Sequence, residues 1–334
     1  MISFLPRTAA RSATFTCSLI STAVLALLNS SPSYACSACG CAMSTDWTGP
    51  DWNGVPASMQ GVKVDFRYDF VNQNELRSGT EKIDPSAIEL PSDEEIQQST
   101  LTRYYTLGLD YSINPSWGLN IQLPWLSRDH GAIAEDTTAV TSSHTGGLGD
   151  VRVLGRYTGL RADGSIGLQF GLKLPTGTIH HNFSDGPAAG EVLDRGLQNG
   201  TGTTDLLLGA YYLGSFASRW QHAEQIQLKQ ALNSMEAFRP STQGSLNLSL
   251  RYRATDWLMP QLQVNAKVEG RELGEQGDYE NSGSRALYLS PGATVSAGAH
   301  VSGYGFVQLP VYQDYTGKQL APPYIVTVGL SYRY

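Results

Sequence analysis

Along residues 61–71, GVKVDFRYDFV, the apolar Val62, Val64, Phe66, Tyr68 and Phe70 alternate with the charged Lys63, Asp65, Arg67 and Asp69. A period of two puts the two sets on opposite faces of a β-strand. One such strand fits a soluble sandwich, whose charged face meets water. It equally fits a membrane barrel, whose apolar face meets lipid and whose charged face lines a wet lumen. The series of strands separates these readings. Further strands are predicted at about 100–113, 116–126, 149–158, 165–174, 204–214, 219–232, 243–254, 257–270, 285–296, 300–312 and 323–334, making about twelve in all. Many are about 10 to 14 residues long, beyond the usual length of about 5 or 6 in globular proteins. A tilted strand that crosses a bilayer needs about 9 to 11 residues.

The connections carry the same message. About 28 residues separate the first two strands, and the next connection is the three-residue NPS at 114–116. Long and short links then alternate to the end of the chain, with GLRADG (159–164) and TDW (255–257) among the short ones and the glycine-rich stretch from 175 to about 203 the longest. Outer-membrane barrels have short periplasmic turns and longer external loops, and an even strand number returns both termini to the periplasm. The fold class expected is therefore all-β: a transmembrane antiparallel β-barrel of about 12 strands. Leu168, Phe170 and Leu172 would face lipid, as would Leu246, Leu248 and Leu250. Trp117, Trp220 and Trp257 stand beside predicted short turns, where an interfacial aromatic girdle belongs. One strand fits poorly. In RWQHAEQIQLKQAL the face carrying Trp220, Ile226 and Leu228 also carries His222 and Glu224. Either a bulge shifts that register or the pair lies at headgroup level.

Composition narrows the reading. Charged residues make up 16% of the chain and the formal net charge is −7, which argues against nucleic acid as a partner. The 35 glycines and 17 tyrosines suit a turn-rich β protein. The first 35 residues have Arg7 and Arg11, an apolar run from about Phe15 to Leu28, and Ser33-Tyr34-Ala35. This reads as a secretory signal peptide cleaved after Ala35. The alternatives are a membrane anchor, for which about 14 apolar residues are too few, and a lipoprotein cut before Cys36. The domain plan is thus a signal peptide (1–35), a cysteine-containing periplasmic extension (36–60) and the barrel (61–334), in the outer membrane of a Gram-negative cell.

The C-terminal PYIVTVGLSYRY places Tyr324, Val326, Val328, Leu330, Tyr332 and Tyr334 on one face. It resembles the terminal signature read by the barrel assembly machinery. The pieces YLSPG, VQLPVYQDYTGKQL and VGLSYRY within 285–334, with LPTG at 174–177, resemble the outer-membrane transporter family labelled as the MetA-pathway phenol-degradation type. That resemblance implies a barrel and a transport role for a small solute, and it supplies no catalytic residues.

The predicted inward set holds Lys63, Asp65, Arg67, Asp69, Arg152, Arg156, Lys173, Arg251, Arg253, Lys267, Glu269 and Arg333. So many charges require water, mutual pairing, or both. One reading is a solute pathway, electropositive near Arg152, Arg156, Arg251 and Arg253. The other is a salt-bridged filling that holds a structural or docking barrel together. An outer-membrane hydrolase is a remote third reading, since no His is paired with a Ser nucleophile at recognisable spacing. Cys36-x-x-Cys39-x-Cys41 stands apart from all of this, on the periplasmic side. Three thiolates would accept a soft ion such as Cu(I) or Zn(II). They would equally form a disulfide or exchange one with a periplasmic partner, and an incidental cluster is the remaining alternative.

Overall fold

The structure, a computed structural model, describes residues 61–334. The signal peptide, the 36–60 extension and Cys36, Cys39 and Cys41 lie outside the described residues. Fifteen strands follow in chain order: β1 (Gly61–Gln73), β2 (Glu75–Gly79), β3 (Glu81–Lys82), β4 (Ile96–Ser112), β5 (Trp117–Ile133), β6 (Val140–Leu148), β7 (Val151–Tyr157), β8 (Ile166–Leu174), β9 (Asp205–Ala217), β10 (Trp220–Ala231), β11 (Gln243–Tyr252), β12 (Leu258–Glu269), β13 (Ser284–Ala297), β14 (Val301–Ala321) and β15 (Ile325–Arg333). Twelve of them form a closed antiparallel ring, because β1 pairs with both β4 and β15, and β13 and β14 join the remaining edges. β2 and β3 extend β14, and β6 extends β5. These three are the strands that the alternation of residue types does not predict.

Outward and inward residues alternate as the sequence pattern requires. On β4, Tyr105, Leu107, Leu109 and Tyr111 are exposed while Thr100, Thr102 and Thr106 are buried. Two aromatic belts bound the exposed apolar band. Beside the short turns, Trp117 packs against Tyr157 with ring centres 4.8 Å apart, and Trp220 against Tyr252 at 4.8 Å, both pairs tilted. Toward the long loops stand Tyr105, Trp125 and Tyr324. Trp117 and Trp125 are eight residues apart on β5, or roughly 26 Å along a strand. Strand tilt reduces this toward the ~25 Å apolar band of outer-membrane barrels. Above the upper belt the outer face becomes charged, with Asp129 bonded to Arg103 (2.8 Å) and His144 (2.6 Å).

The wall is uneven in height. β4 and β5 each span 17 residues and β14 spans 21, against 7 for β7 and 9 for β8. On the high side an apolar cluster of Leu76, Ile96, Ile133 and Leu320 ties the strand tips together. A bulge in β14 adjusts its long path. Leu287 pairs with Tyr312 but Tyr288 pairs with Pro310, so Val311 and Tyr312 both point outward.

The misfit on β10 has its own resolution. A register shift does occur, but the extra residue is Phe216 on β9. His222 and Glu224 therefore stay on the outer face, where they bond each other at 2.8 Å. His222 also meets the rings of Tyr212 and Phe216. Glu224 is four residues above Trp220, about 13 Å along the strand, which is inside the apolar band rather than at its edge. A polar pair there is expected to cost stability. The double variant His222→Leu/Glu224→Leu should raise the unfolding free energy in urea by about 1–3 kcal/mol, followed by gel mobility in lipid vesicles.

Candidate functional site

The inward charges sort into local groups. Arg67 and Asp69, two apart on β1, bond at 3.0 Å. Lys267 and Glu269 do the same on β12 at 2.9 Å. Arg156 on β7 reaches across β5 to Asp110 on β4 at 2.8 Å. Lys173 on β8 sits between Asp150 at 2.6 Å and Asp205 at 3.3 Å. Asp65 accepts hydrogen bonds from Tyr304 (3.1 Å) and Ser331 (2.6 Å). Arg251 donates to Gln261. Lys63, Arg152, Arg253 and Arg333 are half-buried. Arg152 shares a cavity with Arg67 and Lys173, while Arg156, Arg251 and Arg253 do not line it. The inner wall is not uniformly polar. Val71, Ala286, Tyr288 and Ile325 form an apolar cluster on it, with Tyr104 packed against them.

The segment 175–204 shapes the lumen. It leaves the low rim at β8 and returns at β9, and its two arms cross closely. A Cβ on Gly200 would lie 2.7 Å from the Gly177 carbonyl oxygen, and one on Gly177 would lie 2.7 Å from the Gly200 Cα. Only glycine permits this approach. Asp150 clamps the crossing by accepting from the Gly177 and Thr201 backbone N–H groups, each at 3.0 Å. Between the arms the chain packs inward. Leu193 and Leu197 are fully buried with Phe183. Arg128, on the inner face of β5, donates to the carbonyls of Gly196 (3.1 Å) and Gln198 (3.2 Å). Arg195 is held by Glu236 at 2.9 Å. Residues 193–203 thus sit inside the ring, against β4, β5 and β8. A cavity of about 130 Å³ remains beneath them, and Tyr104, Pro124 and Leu126 form an apolar part of its wall.

Arg128 and Arg195 are functional candidates that sequence reading misses. Arg128 lies in the part of β5 beyond the predicted strand, and Arg195 lies in a predicted loop. The LQNGTGT string, with its paired glycines and short polar residues, was the available signal for a tightly folded segment.

Acidic groups crowd the same end. Asp194 is solvent-exposed, yet protein atoms crowd around its carboxyl at the barrel mouth. That enclosure, and then the charges of Glu95 and Asp278, push its carboxyl up to about 6, against the opposing pull of His130. Enclosure also raises Asp278, despite the hydrogen bonds it accepts from Asn281.

His130, beyond the predicted 116–126 strand, is buried in β5 and bonds Thr100 at 2.8 Å, with Glu95 at 3.8 Å from its other nitrogen. Thr100 is 1% exposed, so its hydroxyl is not presented to a substrate. Among the described residues, no three His, Cys, Asp or Glu side chains converge to hold a metal ion.

No protein-family model matches the chain, and no curated protein matches it by sequence. Among solved structures it is similar to the COG4313 outer membrane channel from Pseudomonas putida F1, with a TM-score of 0.62 and 12% identity over 86% of this chain and all 100% of that one. Weaker likenesses include the translocator domain of the autotransporter NalP from Neisseria meningitidis, with a TM-score of 0.49 and 12% identity over 94% of this chain and 98% of that one. Another is the CymD monoaromatic hydrocarbon channel, with a TM-score of 0.46 and 9% identity over 83% of this chain and 90% of that one. The first likeness concerns the fold, which is that of a bacterial outer-membrane β-barrel.

Proposed function

We propose that this chain is an outer-membrane channel that passes a small solute through its barrel, with the infolded 193–203 segment as the constriction. The observation that carries this reading is the seating of that segment on inward side chains with a cavity left beneath it. A merely structural plug would gain from filling that space, since interiors pack to crystal-like density. The resemblance of residues 285–334 to MetA-pathway transporters supports the same reading. In this reading the long loops are external, and both termini and the short turns are periplasmic. Cys36, Cys39 and Cys41 then form a periplasmic thiol site for Cu(I), Zn(II) or disulfide exchange with a partner. The local pairing of lumen charges, Arg67 with Asp69 and Lys267 with Glu269, favours the rival non-conducting docking barrel.

Planar-bilayer conductance and solute uptake by liposomes discriminate the two. Folded protein that gives neither overturns the channel reading and leaves the docking barrel.

The constriction should respond to pH through Asp194, whose ordinary value is 3.8. Its carboxyl is raised on docking, so docking is most favoured below about pH 4, where the group is protonated in either state. That contribution is lost as pH rises through about 6. There the ionised group faces Glu95 and Asp278 with only His130 to offset them. Open time in bilayers should therefore increase between pH 4 and 7, and Asp194→Asn should flatten the profile.

A further inference from the structure

The cavity beneath residues 193–203 is lined by six cationic side chains, Arg67, Arg128, Arg152, Lys173, Arg195 and Lys229, and by one acidic one, Asp150. Arg67 has Asp69 nearby, Lys173 has Asp150 and Asp205, and Arg195 has Glu236. Arg128 differs. It is 3% exposed. Its four hydrogen bonds all go to neutral oxygens: the Thr102 hydroxyl at 3.0 Å, the Gly196 and Gln198 carbonyls, and the Tyr104 phenol at 3.4 Å. A guanidinium withdrawn from water without a counter-charge is unfavourable, and an anion in the adjoining cavity would supply that charge.

A second observation comes from the covering segment. Arg195 and Asn199 are 7% and 5% exposed, and both line the cavity. Arg195 Nε and both amide atoms of Asn199 have no hydrogen-bond partner. Buried polar groups are ordinarily satisfied, so the open donors Arg195 Nε and Asn199 Nδ2 suit an acceptor-rich guest, while the open Asn199 Oδ1 is left for a donor such as water. The third observation is the mixed wall. Tyr104, Pro124 and Leu126 give the cavity an apolar side that an inorganic anion has no use for. Its volume of about 130 Å³ is near the ~150 Å³ of an apolar cavity that takes benzene, which limits the guest to a single ring or its equivalent.

We propose that this cavity is a binding site for a small organic carboxylate. The carboxylate lies toward Arg128, Arg195 and Asn199, and a flat apolar body lies on Tyr104, Pro124 and Leu126. The proposal rests on the channel reading and deepens it by naming the solute class. Bound guest would hold the segment closed by bridging it to β5, and exchange of the guest would be the passage step.

The test uses the full chain in detergent and in planar bilayers, with benzoate as probe, benzyl alcohol as its neutral counterpart and inorganic phosphate as a ringless anion. Calorimetric titration should show saturable benzoate binding, at least ten-fold tighter than either comparison compound. Benzoate should also block single-channel current reversibly. Arg128→Met should weaken benzoate at least ten-fold. Because that variant also releases the segment, Asn199→Asp serves as a second probe. It places a like charge in the cavity without removing bulk, and the same ten-fold weakening is expected with heat-modifiable gel mobility intact. Equal binding of benzoate and benzyl alcohol overturns the site, as does equal binding of benzoate and phosphate, or parent-like affinity in both variants. Conductance without benzoate binding or block overturns the site and leaves the channel standing. Benzoate binding in a barrel that never conducts supports the site and removes the channel.

Discussion

Single-channel conductance is expected to rise several-fold when residues 193–203 are replaced by a short glycine-serine linker. Those residues occupy the inside of the ring, and a twelve-stranded barrel is only intermediate between filled eight-stranded and open sixteen-stranded ones. Most of the open cross-section is therefore theirs to give or withhold. The wall should survive the change, because none of its twelve strand pairings involves the segment. Lys173 keeps Asp150 and Asp205, and Arg128 gains water. The replaced protein should still migrate as a folded barrel before boiling. Unchanged conductance in such a protein would mean that the segment is not the constriction.

The second large effect is expected from Lys173→Met. Lys173 Nζ lies 2.6 Å from Asp150, 3.3 Å from Asp205 and 3.0 Å from the Thr203 carbonyl. The three side chains are 5%, 7% and 1% exposed. Removing the cation leaves two buried carboxylates facing each other, a change that costs about 3–5 kcal/mol. Asp150 also clamps the crossing of Gly177 and Gly200, so the damage should reach the segment. The unfolding free energy from urea titration should fall by that amount, with the midpoint at lower urea, and bilayer recordings should show more frequent full openings. Adding Asp205→Asn removes one of the stranded charges and should restore part of the stability but not the steady closure.

What could be read from the chain depends on what each face meets. The alternation of Phe66, Tyr68 and Phe70 with Arg67 and Asp69 survives into the structure because lipid and lumen impose opposite demands on neighbouring residues. β6, VTSSHTGGL, stands above the upper aromatic belt, where neither face needs to be apolar, and so carries no such signal. The apolar cluster of Val71, Ala286, Tyr288 and Ile325 is legible only in part. Val71 continues the inward face of Asp69, and Ile325 lies on the face opposite the outward Tyr324 and Val326, but nothing local says that they meet Ala286 and Tyr288; the closed ring brings the four together. Of the site, Arg67, Arg152 and Lys173 were legible as inward cations. Asp150 and Asp205, the partners of Lys173, stand at strand ends, where pairing across the sheet is a property of the closed ring. Arg128 and Arg195 become neighbours only when 193–203 folds inward, and no local periodicity encodes that.

Closure of the ring has a consequence in time. Its seam joins the two ends of the barrel sequence, Lys63 beside Arg333 and Val71 beside Ile325. Contacts so distant along the chain form late and slowly. Until they form, β1 and β15 are open edges, each a template for pairing with another molecule. A growing sheet of this kind has no stable stopping point short of its last strand. A chain that loses β15 should therefore accumulate as aggregate or be degraded, rather than persist as a smaller barrel. β15, paired with both β1 and β14, is the piece on which closure of the earlier pairings into a ring waits.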